Sequence, residues 1–276
     1  MYVLRLAAFS HEGVGGNPAG VAFCDEMPAV EEMLRTAKDV GYSETAFLVK
    51  QADGWRVRYF APAMEVPFCG HATIALGAAL GERFGPGKYK LFLNDGEIKV
   101  DAGTSSEGFS ATLYSPATSS EDAPNEFVDR VLEGFYLTRA DLDPAFPVRF
   151  ARAGAKHLLL VLKNRGTLAG MQYQFDRVRD LMLEQGLITI SLLWQETAEV
   201  FHSRNAFASG GVYEDPATGA AAAALAGYLR DIGWQGKQEF TILQGEDMGM
   251  PSRLRVSYGP TVGESVAVSG ETRHIS

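Results

Sequence analysis

Two stretches of this chain are apolar on every side of a helix. One runs through Ile74, Ala75, Leu76, Ala78, Ala79 and Leu80, and the other opens at Ala220 to Ala224 and continues through Leu225, Ala226, Tyr228 and Leu229. A helix without a polar face must be wrapped by other elements, so each stretch demands its own surrounding structure. Each is also preceded by small residues, Pro67-Phe68-Cys69-Gly70-His71-Ala72-Thr73 in the first case and Glu214-Asp215-Pro216-Ala217-Thr218-Gly219 in the second. A helix start leaves N–H groups unpaired at the positive pole of the macrodipole, which suits an anionic ligand. Asp215 stands where a proton could be moved, although an Asp before Pro near a helix start is also a favoured cap, worth roughly 1 kcal/mol.

The two stretches read as halves of a duplication. A shift of 147 positions lays Phe60-Ala61 on Phe207-Ala208 and Cys69-Gly70-His71-Ala72 on Pro216-Ala217-Thr218-Gly219, and a shift of 150 lays Leu91-Phe92-Leu93-Asn94 on Thr241-Ile242-Leu243-Gln244. Strand-like runs surround both helices: 2–9, 19–24, 45–50, 55–61, 91–93, 97–101 and 109–114 in the first half, then 155–163, 187–193, 198–207, 240–243, 254–258 and 265–271. Helical spacing marks 30–40, with Met33, Leu34, Ala37 and Val40 on one face, and also 71–84, 128–134 and 175–186. Ser115 to Pro124, rich in Ser, Pro and Thr, is expected to be the linker. The expected domains are 1–118 with 262–276, and 119–261.

Among 276 residues, 46% are hydrophobic and 21% charged, which supplies a substantial core. The longest apolar runs, 157–162 and 220–226, are too short to span a bilayer, and no basic, cleavable leader opens the chain. A net charge of −9 with 25 basic residues argues against nucleic acid or an anionic membrane as a partner. Cys24 and Cys69, the two cysteines, give neither a disulfide framework nor a metal spacing, which points to a reducing cytoplasm. Cys24, on a strand, is expected in the core.

Five ordered motifs resemble those of the PhzF-like (phenazine biosynthesis-like) family, related in fold to diaminopimelate epimerase. They are Gly16-Asn17-Pro18-Ala19-Gly20-Val21, Ser43-Glu44-Thr45-Ala46-Phe47, Phe60-Ala61-Pro62 leading to Glu65 through Thr73, Glu214 to Gly219, and Gln244-Gly245 with Met248-Gly249. The resemblance implies an α+β fold of two pseudo-symmetric domains, each a mixed β-barrel wrapped around a central α-helix, with the active site where the two helix N-termini face each other. It further implies a homodimer and a cofactor-independent isomerase that moves a proton within a small carboxylate substrate, with no metal.

A Glu between Ser43 and Thr45 is ordinarily a solvated side chain. The resemblance makes Glu44 the catalytic acid/base, since a carboxylate withdrawn from water can take a proton from carbon. His71 and Asp215 become its hydrogen-bonding or proton-transferring partners, and Asn17, Ser43, Gly70, Ala72, Thr218, Gly219 and Ala220 become substrate contacts. Related racemases and epimerases use paired cysteines. Cys69 holds one such position and Pro216, 147 residues on, has no acidic proton, so Cys69 is read as a passive wall and a Cys69 epimerase as an alternative. Two departures stand out: Ala220 where the family commonly has serine, and Met250 where it commonly has arginine before Pro-Ser. Both remove anion contacts, and they motivate a second alternative, a catalytically idle binding protein.

Overall fold

Hydrophobic alternation and helix-start chemistry account for most of the elements in the computed structural model, which describes residues 1–105 and 108–275. The chain divides into two units, Met1–Tyr114 with Ser269–Ser276, and Ser115–Val268. The class is α+β, with six α-helices among the described residues.

In the first unit, β1 (Leu4–Ser10) and β2 (Asn17–Cys24) pair antiparallel, Leu6 opposite Ala19. The helix α1 (Val30–Val40) then carries the chain back so that β3 (Glu44–Gln51) runs parallel to β2, beginning at the rung Ala19 opposite Glu44. Glu31 and Glu32 in its first turn and Lys38 in its last complement the helix dipole. Its face of Met33 and Ala37 packs on Ala22, Phe47 and Phe60, and burying a side chain the size of Met33 is worth roughly 2 kcal/mol. β4 (Gly54–Phe60) returns antiparallel to β3, and the short β5 (Glu65–Val66) leads into α2 (Gly70–Phe84). β6 (Gly87–Leu93) runs parallel to β4, and β7 (Gly96–Ser105) and β8 (Gly108–Tyr114) complete the hairpins.

Every residue of α2 from His71 to Gly81 is buried, and the helix touches β1, β2, β3, β6, β7 and β8. Wrapping on all sides is what its sequence required. The approach is close enough that a Cβ on Gly77 would lie 2.6 Å from a Val100 methyl carbon.

The second unit repeats the plan. β9 (Thr118–Asp122), α3 (Asn125–Gly134), β10 (Arg149–Ala153) and β11 (Ala155–Val161) come first, with β10 antiparallel to both β9 and β11. The helices α4 (Arg165–Ala169) and α5 (Phe175–Gln185) make the crossover to β12 (Thr189–Thr197), which is parallel to β11 from the rung His157 opposite Thr189. β13 (Val200–Ala206), β14 (Glu214–Asp215), α6 (Gly219–Asp231), β15 (Glu239–Gln244) and β16 (Ser252–Tyr258) then reproduce the order of β4 to β7, with β13 and β15 parallel. α6 is buried from Ala221 to Leu229 and touches β9, β10, β11 and β16. As α1 does in the first unit, α3 and α5 add a further apolar layer, in which Val131 of α3 and Val178 and Met182 of α5 cluster with Leu158, Leu160, Ile190 and Leu192. The last strand, β17 (Val266–His274), pairs with β1, Leu6 opposite His274, and with β8.

Three expectations are corrected. The segment 115–124 is not only a linker, because it contains β9, whose Thr118 is buried against Gly227 of α6. Cys24 is half-exposed rather than core, since it ends β2 where the strand reaches the surface. The repeat also follows a different register. Phe60 pairs with Glu65 as Ala206 pairs with Glu214, an offset of 206 − 60 = 146 on that strand. The helices begin at Gly70 and Gly219, 219 − 70 = 149 apart. Trp55 opposite Leu91 matches Phe201 opposite Ile242, so the next strand is offset by 242 − 91 = 151. The counterpart of Cys69 is therefore Thr218, not Pro216.

Candidate active site

The start of α2 gathers four chemically active side chains. Cys69 is the cap residue and supplies no side-chain hydrogen bond to the first turn. Its carbonyl accepts from the Thr73 hydroxyl at 2.7 Å, and Thr73 in turn lies 2.7 Å from the Tyr59 phenol, whose burial pushes its ionisation up. This buried chain fixes the cap, and one residue into the helix His71 is held with it. Glu44 arrives from the other direction, as the first residue of β3, because the parallel pairing with β2 ends there.

The His71 imidazole is the hub. Its Nε2 lies 3.3 Å from Glu44 Oε2 and 3.3 Å from Ser43 Oγ, while Cys69 Sγ is 3.4 Å from Nδ1 and 3.8 Å from Nε2. The side chains of His71 and Glu44 are 9% and 18% exposed, so the pair is sheltered but still reachable at the carboxylate. Glu44 Oε2 is buried, and its 3.3 Å approach to the imidazole Nε2 lacks hydrogen-bond alignment. Glu44, Cys69 and His71 each place a donor atom within 4.8 Å of the others. No cysteine spacing could have revealed this group, since Glu44 enters from a separate strand. Gly70 and Ala72 flank His71 in the first turn, and buried Asn17 begins β2 two residues before Ala19, the rung partner of Glu44.

A second group forms at the start of α6. The cap is Thr218, not Asp215, and again no side-chain oxygen caps the first turn. Instead the Thr218 hydroxyl donates to Asp215 Oδ2. Gln244, 2% exposed, donates through Nε2 to the Asp215 carbonyl at 2.7 Å and to Thr218 Oγ1 at 3.2 Å, and accepts from the Thr218 amide at 3.2 Å. Gly245 makes this possible: its φ is +77°, and a Cβ there would sit 2.2 Å from the Met250 carbonyl oxygen and 2.8 Å from that of Pro216. Gly219 and Ala220 form the first turn. Gln244 was legible only as part of a motif, because its role depends on β15 reaching α6 from a distant stretch of chain. Beside this group Arg204 of β13 clamps Glu214 of β14 at 3.0 and 2.5 Å, both residues buried.

The match to known proteins extends over almost the whole chain. The family model for the phenazine biosynthesis-like protein (PhzC-PhzF) matches residues 6–275. The chain belongs to the phenazine biosynthesis-like family. Both helix starts lie inside the matched span. An uncharacterized isomerase of Deinococcus radiodurans is 29% identical over 261 residues, covering 91% of this chain and 85% of that protein. An uncharacterized isomerase of Bacillus subtilis is 27% identical over 292 residues, covering 98% and 97%. The crystal structure of the Bacillus anthracis phenazine biosynthesis protein of the PhzF family superposes with a TM-score of 0.89 at 23% identity, covering 99% of this chain and 96% of that one, a likeness of fold. The family membership and these relatives place the chain among isomerases. No helix among the described residues is long and apolar enough to cross a membrane.

Proposed function

We propose that this phenazine biosynthesis-like chain is an isomerase that moves a proton within a small carboxylate substrate without a metal or organic cofactor, Glu44 being the acid/base. The observation that carries the reading is the sheltered contact between Glu44 and His71 at the start of α2. Glu44 takes a proton from a substrate carbon, the C–H electron pair delocalises toward the substrate carboxylate, and the proton returns to a different carbon. His71, within reach of the carboxylate, holds Glu44 in place and shares its proton. The first-turn N–H groups at Gly70 and Ala72, and in the other unit at Gly219 and Ala220, are the proposed anion contacts, with Ser43, Asn17 and Thr218 as further polar contacts. Asp215, oriented by Thr218 and Gln244, is the proposed second proton-handling group.

The same reading takes each unit as a mixed barrel wound around its buried helix, a view supported by the pairing of β17 with both β1 and β8 and by the strands that touch α2. A homodimer is proposed with it. Paired-thiol epimerisation has less support, because Thr218 occupies the position that would need the second thiol.

The test is deuterium incorporation from D2O into a panel of cyclic and amino carboxylates. Wild type is expected to label at least one acid, and Glu44→Gln to lose about 10²- to 10⁴-fold in rate. Labelling that survives in Glu44→Gln defeats the assignment, and labelling that disappears in Cys69→Ser while persisting in Glu44→Gln transfers it to the thiol. A chain that labels nothing, yet is stabilised by one of these acids equally in wild type and Glu44→Gln, is the idle binding protein instead.

A further inference from the structure

The sheet of the second unit turns a polar patch toward its buried helix. Ser191 of β12 stands opposite Asn205 of β13, Leu193 opposite Ser203, and Ser203 beside Gln244 of β15. Alternate residues of a strand share a face and cross-strand partners share it too, so Ser191, Ser203, Asn205 and Gln244 project together. Ala221, Ala222 and Leu225 of α6 close over them, and the enclosed cavity has a volume of about 10 Å³. No residue that lines it is more than 5% exposed.

One oxygen on this wall is orphaned. Ser191 is 2% exposed and its Oγ has no hydrogen-bond partner in the protein, a costly state for a hydroxyl withdrawn from solvent. Ser203 donates to Asn205 Oδ1 at 3.0 Å, which leaves Ser203 Oγ able to accept and the Asn205 amide nitrogen able to donate. The first unit solves the same place differently. Its rung of Ala46 opposite Tyr59 matches Ser191 opposite Asn205, because Tyr59 pairs with Val66 as Asn205 pairs with Asp215. The helix offset of 219 − 70 = 149 sets Thr73 against Ala222. There the buried Tyr59 phenol reaches Thr73 Oγ1 at 2.7 Å, and in the second unit both side chains are cut back.

We infer that the cavity of the second unit binds one structural water molecule, held by Ser191, Ser203 and Asn205 in the place that the Tyr59 hydroxyl takes in the first unit. The volume admits a single water and nothing larger, and three polar partners is the number that a buried water ordinarily has. Gln244 forms another wall of the same cavity while its amide holds the Asp215 carbonyl and the Thr218 hydroxyl, so the water lies directly behind the group at the start of α6. The site is independent of the isomerase reading.

A crystal structure of the full chain, at a resolution that shows ordered solvent, is expected to place one density peak about 3 Å from both Ser191 Oγ and Ser203 Oγ. A cavity without density overturns the site. In urea titrations Ser191→Ala, which puts at this rung the residue that the first unit has, is expected to raise the unfolding equilibrium constant about fivefold, since the water loses a partner. In a dry cavity the same change removes a stranded hydroxyl, so an unchanged or lower constant overturns the site as well. Ser191 and Ser203 make no direct bond, and only a bridging water couples their hydroxyls. The combined loss in the Ser191→Ala, Ser203→Ala double variant is therefore expected to fall short of the sum of the single losses, and additive losses overturn the bridge. Should the variants misfold, the density in the wild-type protein decides.

Discussion

The same rung of the same strand pair appears in both units, and the two rungs hold opposite chemistry. In the first unit the parallel ladder of β2 and β3 begins with Ala19 opposite Glu44, and in the second the ladder of β11 and β12 begins with His157 opposite Thr189. The neighbouring strands confirm that these positions match, because Thr45 lies opposite Phe60 as Ile190 lies opposite Ala206. At the helix starts Cys69 faces Thr218 in the alignment, His71 faces Ala220, and Val66 faces Asp215. The backbone plan is shared, and at these positions the ionisable groups are not. Unit one keeps a carboxylate, an imidazole and a thiol together at its helix start, while unit two seals its rung entirely, His157 being 0% and Thr189 1% exposed, and has Asp215 beside a Glu214 clamped by Arg204. A duplicated scaffold fixes where side chains can act, and substitution then decides which half does so.

If that division of labour is right, the largest effect of any conservative change falls on the first unit. Glu44→Gln is expected to cost at least tenfold more in exchange rate than Asp215→Asn, because Asp215 already accepts a hydrogen bond from Thr218 and is steadied by Gln244. Parallel rate measurements on the two variants decide it. Equal losses would break the asymmetry and make the halves chemical partners of the same rank.

The halves share an arginine–glutamate clamp, and there the order reverses. Arg204 and Glu214 are sealed at 9% and 3% side-chain exposure, whereas Arg58 and Glu65 are at 19% and 25%. Burial opposes the charge on Arg204, yet the Glu214 hydrogen bond and field prevail and its ionisation is raised. Removing one partner of a buried pair strands the other, so Arg204→Ala is expected to cost about 3 to 5 kcal/mol. At Arg58 the Glu65 hydrogen bond is the leading cause of the raised ionisation, but water reaches both groups, and Arg58→Ala is expected to cost about 1 kcal/mol. Urea titrations of both variants compare them, and similar losses would show that the outer clamp is as desolvated as the inner one.

How far these features could be read from the chain follows from which contacts are local. α1 spans Val30–Val40 as its spacing required, and α2 begins one residue before the expected His71, because apolar periodicity and helix ends are written in consecutive residues. β9 escaped notice because its Thr-Ser-Ser-Glu-Asp sequence is polar, and only pairing with β10 makes it a strand. β10 and α4 were missed for the same reason, their identity coming from neighbours rather than from pattern. The repeat was visible, but a single shift of 147 concealed small insertions at the turn before each helix and placed Pro216 where Thr218 belongs. Ser43, Glu44 and His71 were each expected at a site, and the structure brings them together. Cys69 was expected as a wall of the same site, and its contact with the His71 ring agrees; that Glu44 reaches the pair follows from strand order, not spacing. Gln244 was seen as a motif and not as the residue that holds Asp215.

The sealed rung offers the finest test of the contrast. Burial alone holds the His157 imidazole neutral, its pKa lowered to about 3 from the ordinary histidine value near 6.5, and its Nδ1 lies 2.8 Å from the Thr189 hydroxyl while Nε2 is buried without a hydrogen-bond partner. Because the folded value is depressed, the unfolded chain binds the proton first as the pH falls. The neutral ring therefore costs nothing above about pH 6.5, and stability drains away as the pH drops from there toward 3. One unit below the unfolded value, at about pH 5.5, the loss is roughly 1 kcal/mol. Urea unfolding of wild type and His157→Gln at pH 7.5 and 5.5 reads it: the variant starts lower, having lost packing and the Thr189 contact, but its drop between the two pH values is expected to be smaller by that amount. Equal drops would mean that the imidazole can gain a proton in the folded chain, so that the second unit's rung is open to water after all and the contrast with Glu44 is one of residue type alone.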